Sequence, residues 1–292
     1  MLAAIAQGEC RIVDKHIDFQ SSPRVAAGRA QGGRTSQQDA FVCLHDAAED
    51  TLLLVLADGM GGDGAGELAA DGVVTTARRL WNQKAWLQQP AALFLEHLCM
   101  EAHEELHRRR LGLSQGEPHS TVVALLLRDD RASWVHVGDS RLYLFQGARC
   151  LARTRDHSLA EWRVQRGELL PEDVASHPDQ HKLLRGLGGD EPPEVDHGGA
   201  MLHAGQSFAL CSDGVWENLT AQELGRLVTR DDQSEALREA LTLAVERGGR
   251  EGDNAALILV RAMDAGRLHR AAVSFWLHVS DLLKGRRRDA AA

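Results

Sequence analysis

Basic charge is in short supply in this 292-residue chain: 33 Lys and Arg stand against 42 Asp and Glu, for a formal net charge of −9. A surface of that sign is a poor general binder of nucleic acid and suits neutral or basic partners. No apolar run approaches the roughly 18 residues needed to span a bilayer. The start, Met1 to Cys10, lacks both a basic leader and an adequate apolar stretch for a signal peptide. Five cysteines, Cys10, Cys43, Cys99, Cys150 and Cys211, include no CxxC pair and are odd in number. They read as reduced, buried thiols of a cytoplasmic protein rather than a disulfide frame or a zinc site. Fourteen histidines offer no convincing ligand spacing. His103 and His107 stand four apart on a helix, where solvent-facing or half-buried positions are far commoner than zinc ligation. There is no internal repeat.

What is present is ordinary globular material, 43% apolar and 26% charged, in a chain long enough to bury a core. Thr51 to Ala57 is a continuous apolar run, as expected of a strand buried on both faces. Trp134 to Val137 and Leu142 to Phe145 flank Gly138-Asp139-Ser140-Arg141 and read as two strands joined by a turn. Phe208 to Ser212 and Ala256 to Val260 are further apolar runs. Between them, Ala69, Val73, Ala77 and Leu80 recur at helical spacing, as do Phe94, Leu98, Ala102 and Leu106. Thr220 to Glu223 is a capping-box pattern, and Ser234 is the expected cap of a helix carrying Leu237, Leu241, Ala244 and Val245 and stopped by Gly248.

Strand clusters separated by helix pairs predict a layered α+β sandwich in one domain, 22–262, rather than a doubly wound parallel sheet. The proline- and glycine-bearing polar stretch at about 155–198 reads as an inserted flap beside a site or as a plain surface excursion. Residues 1–21 form an uninformative N-terminal extension. In 263–292, Leu268, Ala272, Phe275, Trp276, Val279, Leu282 and Leu283 form a helical stripe before the basic run Lys284-Gly285-Arg286-Arg287-Arg288. That stripe reads as a helix packed on its own domain, as a partner-docking or self-association helix, or as a binder of anionic membrane, in that order.

The chemistry lies in a repeated local pattern. Asp58-Gly59, Gly138-Asp139, Asp213-Gly214 and Asp253-Asn254 each sit at the edge of an apolar strand. Singly, each is a turn signal. Four placed alike can meet at one rim of a sandwich, where their carboxylates would repel unless a cation neutralised them. Hard oxygen ligands select Mg²⁺ or Mn²⁺. Arg34 has the fork geometry to grip two phosphate oxygens, although alone it reads as a surface arginine.

Taken together, the segments Arg34-Thr35-Ser36-Gln37-Gln38-Asp39-Ala40, Ala57-Asp58-Gly59-Met60-Gly61-Gly62, Val137-Gly138-Asp139-Ser140-Arg141, Cys211-Ser212-Asp213-Gly214 and Gly252-Asp253-Asn254 resemble, in order, the metal-dependent protein phosphatases of type 2C. The resemblance implies a four-layer α-β-β-α sandwich, two central antiparallel sheets flanked by helix pairs. It implies a bacterial-type enzyme that hydrolyses phosphoserine and phosphothreonine on proteins by metal-activated water, opposing a serine/threonine kinase. It also implies two Mg²⁺ or Mn²⁺ ions, with a place for a third. Asp58 would bridge the two, with the Gly59 carbonyl on one; Asp213 and Asp253 would complete the other, and Asp39 and Gln38 would act through water. Asp139 would help Asp213 hold the third ion, and Arg34 would bind phosphate.

Two departures stand out. Gln37-Gln38 replaces the more usual Asn-Glu, and Asp63 stands where many relatives have a histidine suited to protonating the leaving group. Asp63 is therefore a candidate catalytic acid that would need a raised pKa, or it simply caps the following helix. A phosphatase-like binding or sensing module of weak activity is the alternative function, and a metal hydrolase of small phosphate esters a third.

Overall fold

The computed structural model describes residues 17–22, 24–114 and 116–261; the expected C-terminal stripe and most of the N-terminal extension fall outside them. In chain order the strands and helices are β1 Ile17–Ser21, β2 Val25–Ala30, β3 Asp39–Asp46, β4 Thr51–Met60, α1 Ala65–Asn82, α2 Ala91–Arg110, β5 His119–Ser120, β6 Val122–Arg128, β7 Arg131–Val137 and β8 Arg141–Gln146. There follow β9 Arg149–Arg153, α3 Leu159–Gln165, β10 Asp196–Met201, β11 Gln206–Cys211, α4 Asp213–Trp216, α5 Ala221–Val228, α6 Gln233–Gly248 and β12 Ala255–Val260.

Two antiparallel sheets result. One runs β1-β2-β12-β11-β8-β9, and the other runs β10-β7-β6-β4-β3 with β5 beside the end of β4. The pattern of burial explains why the central strands are apolar throughout. Leu53, Val55 and Ala57 of β4 face α1 and α2, while Leu52, Leu54 and Leu56 face the opposite sheet. In β12, Ala255, Leu257 and Leu259 face α5 and α6, while Ala256, Ile258 and Val260 face inward. Period-two alternation thus persists, but both faces are covered. Three apolar layers between four structural layers give the α-β-β-α sandwich.

The helices follow their stripes. Ala69, Val73, Ala77 and Leu80 of α1 and Phe94, Leu98, Ala102 and Leu106 of α2 all enter one core layer. The capping box of α5 is complete, Thr220 Oγ1 accepting the Glu223 amide at 3.2 Å and Glu223 accepting the Thr220 amide at 2.8 Å. For α6 the cap is not Ser234. Asp232, in extended backbone, accepts the Glu235 amide at 2.9 Å, so the cap lies two residues before Ser234 and the helix starts at Gln233. A carboxylate there both satisfies an orphan amide and faces the positive helix end.

Strands β7 and β8 are joined by a turn but do not pair; β7 lies in one sheet and β8 in the other. Gly138–Ser140 is therefore a corner where the chain crosses between sheets. The polar stretch 155–198 leaves this region, forms α3 and a 3₁₀ turn at Pro171–Ser176, and closes on itself through a bridge between Ser158 and Leu183. Ala160 and Val174 anchor it in the core layer under α5 and α6. His103 is buried rather than half-buried, and its Nδ1 accepts the Gly188 amide at 3.2 Å.

Candidate metal centre

The site is made where strand ends from both sheets reach one rim. Antiparallel register places Asp39, first in β3, directly opposite Asp58 near the end of β4. The Asp58 backbone is clamped: its amide donates to Thr121 Oγ1 (3.1 Å), and its carbonyl accepts from the Thr121 amide (2.8 Å) and Ser120 Oγ (3.1 Å). Gly59 donates its amide to the Gln38 carbonyl at 3.0 Å. It must be glycine, because a Cβ there would lie 1.9 Å from the Gly66 carbonyl oxygen at the start of α1.

Asp139 sits on the corner between β7 and β8. Trp216 Nε1 donates to its carbonyl at 3.0 Å, and the next residue, Ser140, lies 2.8 Å from Thr121 Oγ1. Beneath, Arg141 makes a two-pronged pair with Asp156 at 2.8 and 2.6 Å and lies 3.6 Å over the Trp216 ring. Asp213 opens α4 directly after β11. Before it, Ser212 Oγ donates to Asp39 Oδ2 at 2.7 Å and accepts the Ala256 amide at 2.9 Å, joining the two sheets. Asp253 precedes β12. Its neighbour Asn254 is buried and staples the Arg34 loop, accepting the Gln38 amide (2.8 Å) and donating to the Gln31 and Ser36 carbonyls. Arg34 itself is half exposed, with Nη2 at 2.5 Å from Asp253 Oδ2.

Five carboxylates thus share one small volume. Burial, and then repulsion from Asp213, Asp39, Asp139 and Asp253, pushes the Asp58 carboxyl well above the usual range. Asp39 and Asp139 are raised well above it too, burial again the largest cause, with the Ser212 hydroxyl partly offsetting the rise at Asp39. Asp253 is raised by burial and by Asp213, with Arg34 pulling the other way. Asp39 Oδ1 and Asp213 Oδ1 are buried and have no hydrogen-bond partner among the described residues. Crowded, orphaned, oxygen-only donors are what a hard divalent cation would satisfy, so the residues present fit Mg²⁺ or Mn²⁺.

Of two further expected members, Gln38 lies close to the Gly59 carbonyl and Asp63 stands apart. The Gln38 side chain lies against α1, its Nε2 where a Cβ on Gly66 would be 2.4 Å away. Asp63 is exposed and is not among the leading causes of the shifts at Asp39, Asp58, Asp139 and Asp253. It does not cap α1: the cap position is Gly64, with no side-chain hydrogen bond. The chain enters α1 through left-handed backbone at Gly62, Asp63 and Gly64 (φ 64°, 44° and 80°), which leaves Asp63 one residue before the cap position.

Two residues join the cluster unannounced. Glu217 lies one helical turn after Asp213, and burial followed by Asp213 pushes it up to about 7. His181, from the polar stretch, places Nδ1 3.6 Å from both Asp213 Oδ2 and Glu217 Oε1. Its pairing with Asp213, ahead of the other causes, raises it to about 9. The i,i+4 spacing of Asp213 and Glu217 was a usable signal; His181 had none.

Comparison with known proteins follows the same lines. The family model for protein phosphatase 2C matches residues 29–257. Protein phosphatase PhpP of Streptococcus pneumoniae is 29% identical over 242 residues, covering 80% of this chain and 95% of that protein. The crystal structure of the Mycobacterium tuberculosis serine/threonine phosphatase PstP/Ppp superposes with a TM-score of 0.72 at 26% identity, covering 82% of this chain and 98% of that one. The catalytic domain of PstP in complex with two manganese ions gives a TM-score of 0.68 at 25% identity, with the same coverage.

Proposed function

The chain belongs to the protein phosphatase 2C family, and from that premise we propose how its residues divide the work of a metal-dependent serine/threonine protein phosphatase. The observation that carries the reading is the convergence of Asp39, Asp58, Asp139, Asp213 and Asp253, with the buried, unpartnered oxygens of Asp39 and Asp213 among them. We assign Asp58 to two Mg²⁺ or Mn²⁺ ions, with the Gly59 carbonyl beside it. Asp213 and Asp253 would serve one of the two ions, with Asp39 and Gln38 acting through water. Asp139 would share a third position with Asp213. When bound, such ions supply a Lewis acid that activates water and takes up charge on the phosphoryl oxygens.

The chain's own groups do the rest. Arg34, at the exposed edge, presents parallel N–H donors to two phosphoryl oxygens and holds the phosphorus in line. Ser212 keeps one Asp39 oxygen engaged, which turns the other toward the cluster. The clamp on Asp58 from Ser120 and Thr121 fixes where its carboxylate points. We assign Asp63 to the mouth of the site as the candidate acid; with aspartate in that position, alkyl phosphates should turn over more slowly than aryl phosphates.

We further propose that the substrates are a serine/threonine kinase or its targets, that 22–262 is the catalytic domain with 155–198 its flap, and that the C-terminal stripe docks a partner. The free thiols of Cys43, Cys99, Cys150 and Cys211 support a cytoplasmic setting. Among the described residues no helix is long and apolar enough to cross a membrane.

The test is Mn²⁺-dependent hydrolysis of an aryl phosphate and of a phosphothreonine peptide. Asp58→Asn and Asp213→Asn should each lower both rates by about 100-fold or more. Activity that survives both substitutions would remove the metal assignment, and inactivity of the unaltered protein at every Mg²⁺ and Mn²⁺ concentration would favour a binding module.

A further inference from the structure

The corner that carries Asp139 is gripped from the root of the polar stretch by a single residue. The His157 amide donates to the Gly138 carbonyl at 2.9 Å, and the His157 ring accepts the Gly138 amide on Nδ1 at 3.2 Å. Gly138 cannot brace this turn with a side chain of its own: at φ 105° a Cβ would lie 2.6 Å from the Thr121 methyl.

Because Nδ1 is the acceptor, a neutral imidazole carries its proton on Nε2. Asp196 Oδ2 lies 3.4 Å from that nitrogen, and Arg185 Nη1, on the same carboxylate, lies 3.5 Å from it. Asp196 in turn opens β10 and holds Arg185 at 3.0 Å, where the stretch returns to the sheet. The ring stacks on His136, centroids 4.5 Å apart, and burial ahead of His136 pushes His157 down to about 4, which keeps it neutral for this role.

His136, His157 and Asp196 also bring possible ligand atoms within 4.8 Å of one another. The hydrogen bonds oppose a metal there. A cation on His157 Nε2 would drive the proton onto Nδ1, where it would confront the Gly138 N–H.

We propose that His157 is a positioning residue: through Nδ1 it sets the backbone of the Gly138–Asp139 corner, and through Asp196 it ties that corner to the return of the flap, so that the hold on a cation at Asp139 depends on it. The proposal rests on the assignment of Asp139 to the metal centre.

The experiment compares His157→Ala with His157→Asn, whose carboxamide oxygen can stand in for Nδ1 toward Gly138 but cannot reach Asp196. Calorimetric titration of Mn²⁺ into the metal-free protein should show one bound ion loosened roughly tenfold by His157→Ala. His157→Asn should recover most of that loss, and neither should change the other ions. Exchange of the Gly138 amide proton in the metal-free protein should quicken in His157→Ala and stay slow in His157→Asn. In the unaltered protein, long-range proton–nitrogen spectra should place the His157 proton on Nε2.

A proton found on Nδ1, unchanged Gly138 exchange in His157→Ala, or an asparagine variant no better than the alanine variant overturns the proposal. Asp139→Asn separates it from the reading beneath. If that change leaves Mn²⁺ binding untouched, the metal assignment of Asp139 fails. If it weakens Mn²⁺ while His157→Ala does not, only the positioning role fails.

Discussion

An aspartate surrounded by four others keeps its proton to higher pH than it would alone, and this gives the metal-free protein a pH dependence of definite sign. Glu217 and His181, raised to about 7 and about 9, contribute stability that is complete below their unfolded values and is lost as pH climbs through the folded ones. The raised carboxyls of Asp39, Asp58 and Asp139 act in the same direction. His136 and His157 work oppositely: they are lowered, so their contribution is lost as pH falls and is complete above roughly 6.5. Between pH 7 and 8.5, therefore, the Tm in chelator should fall. Saturating Mn²⁺ should remove the fall, because the cation takes the place of the protons. A flat or rising Tm in chelator would contradict the crowding. At the mouth, Arg34→Ala should raise KM for a phosphothreonine peptide by roughly ten- to a hundredfold, with Arg34→Lys recovering only part, since an ammonium cannot bridge two oxygens.

At the scale of elements, the contact between β4 and α1 is the tightest in the site. A Cβ on Gly59 would meet the Gly66 carbonyl, and one on Gly66 would meet Gln38 and the Gly59 carbonyl. Gly59→Ala or Gly66→Ala should cost about 2 kcal/mol or more in urea unfolding and blunt Mn²⁺ affinity together. Removing the α5 cap with Thr220→Ala should cost about 1 kcal/mol and leave Mn²⁺ affinity alone. The elements that could be read from sequence are those with a covered face. β4, β8, β11, β12, α1 and α2 announce themselves because burial demands apolar residues at fixed spacing. β1 and β10 do not, being sheet-edge strands whose side chains are mostly exposed and, in β10, partly glycine. The aspartates were legible because each borders an apolar run. Their roles came from the resemblance; Glu217 was legible only as the residue one helical turn after Asp213, and His181 joined the site through tertiary approach that no local pattern records.

Across the whole molecule, the proposed ligands come from both sheets: Asp39 and Asp58 from one, Asp213 and Asp253 from the other, and Asp139 from the crossing between them. A cation held there fastens the sandwich at its rim. At an Mn²⁺ concentration 100 times its Kd the native state should gain about 2.7 kcal/mol, and amide exchange should slow in β3, β4, β11 and β12 alike; slowing confined to one sheet would count against a shared centre. The opposite rim has a different fate. The β3–β4 pairing runs from Asp39 opposite Asp58 to Asp46 opposite Thr51, so the hairpin tip at Ala47 and Ala48 lies about 25 Å from the chemistry at ordinary strand rise. That tip is exposed. It offers a socket for engineering: a fluorescent tag or a targeting domain spliced between Ala47 and Ala48 should travel with the phosphatase while leaving its turnover largely unchanged.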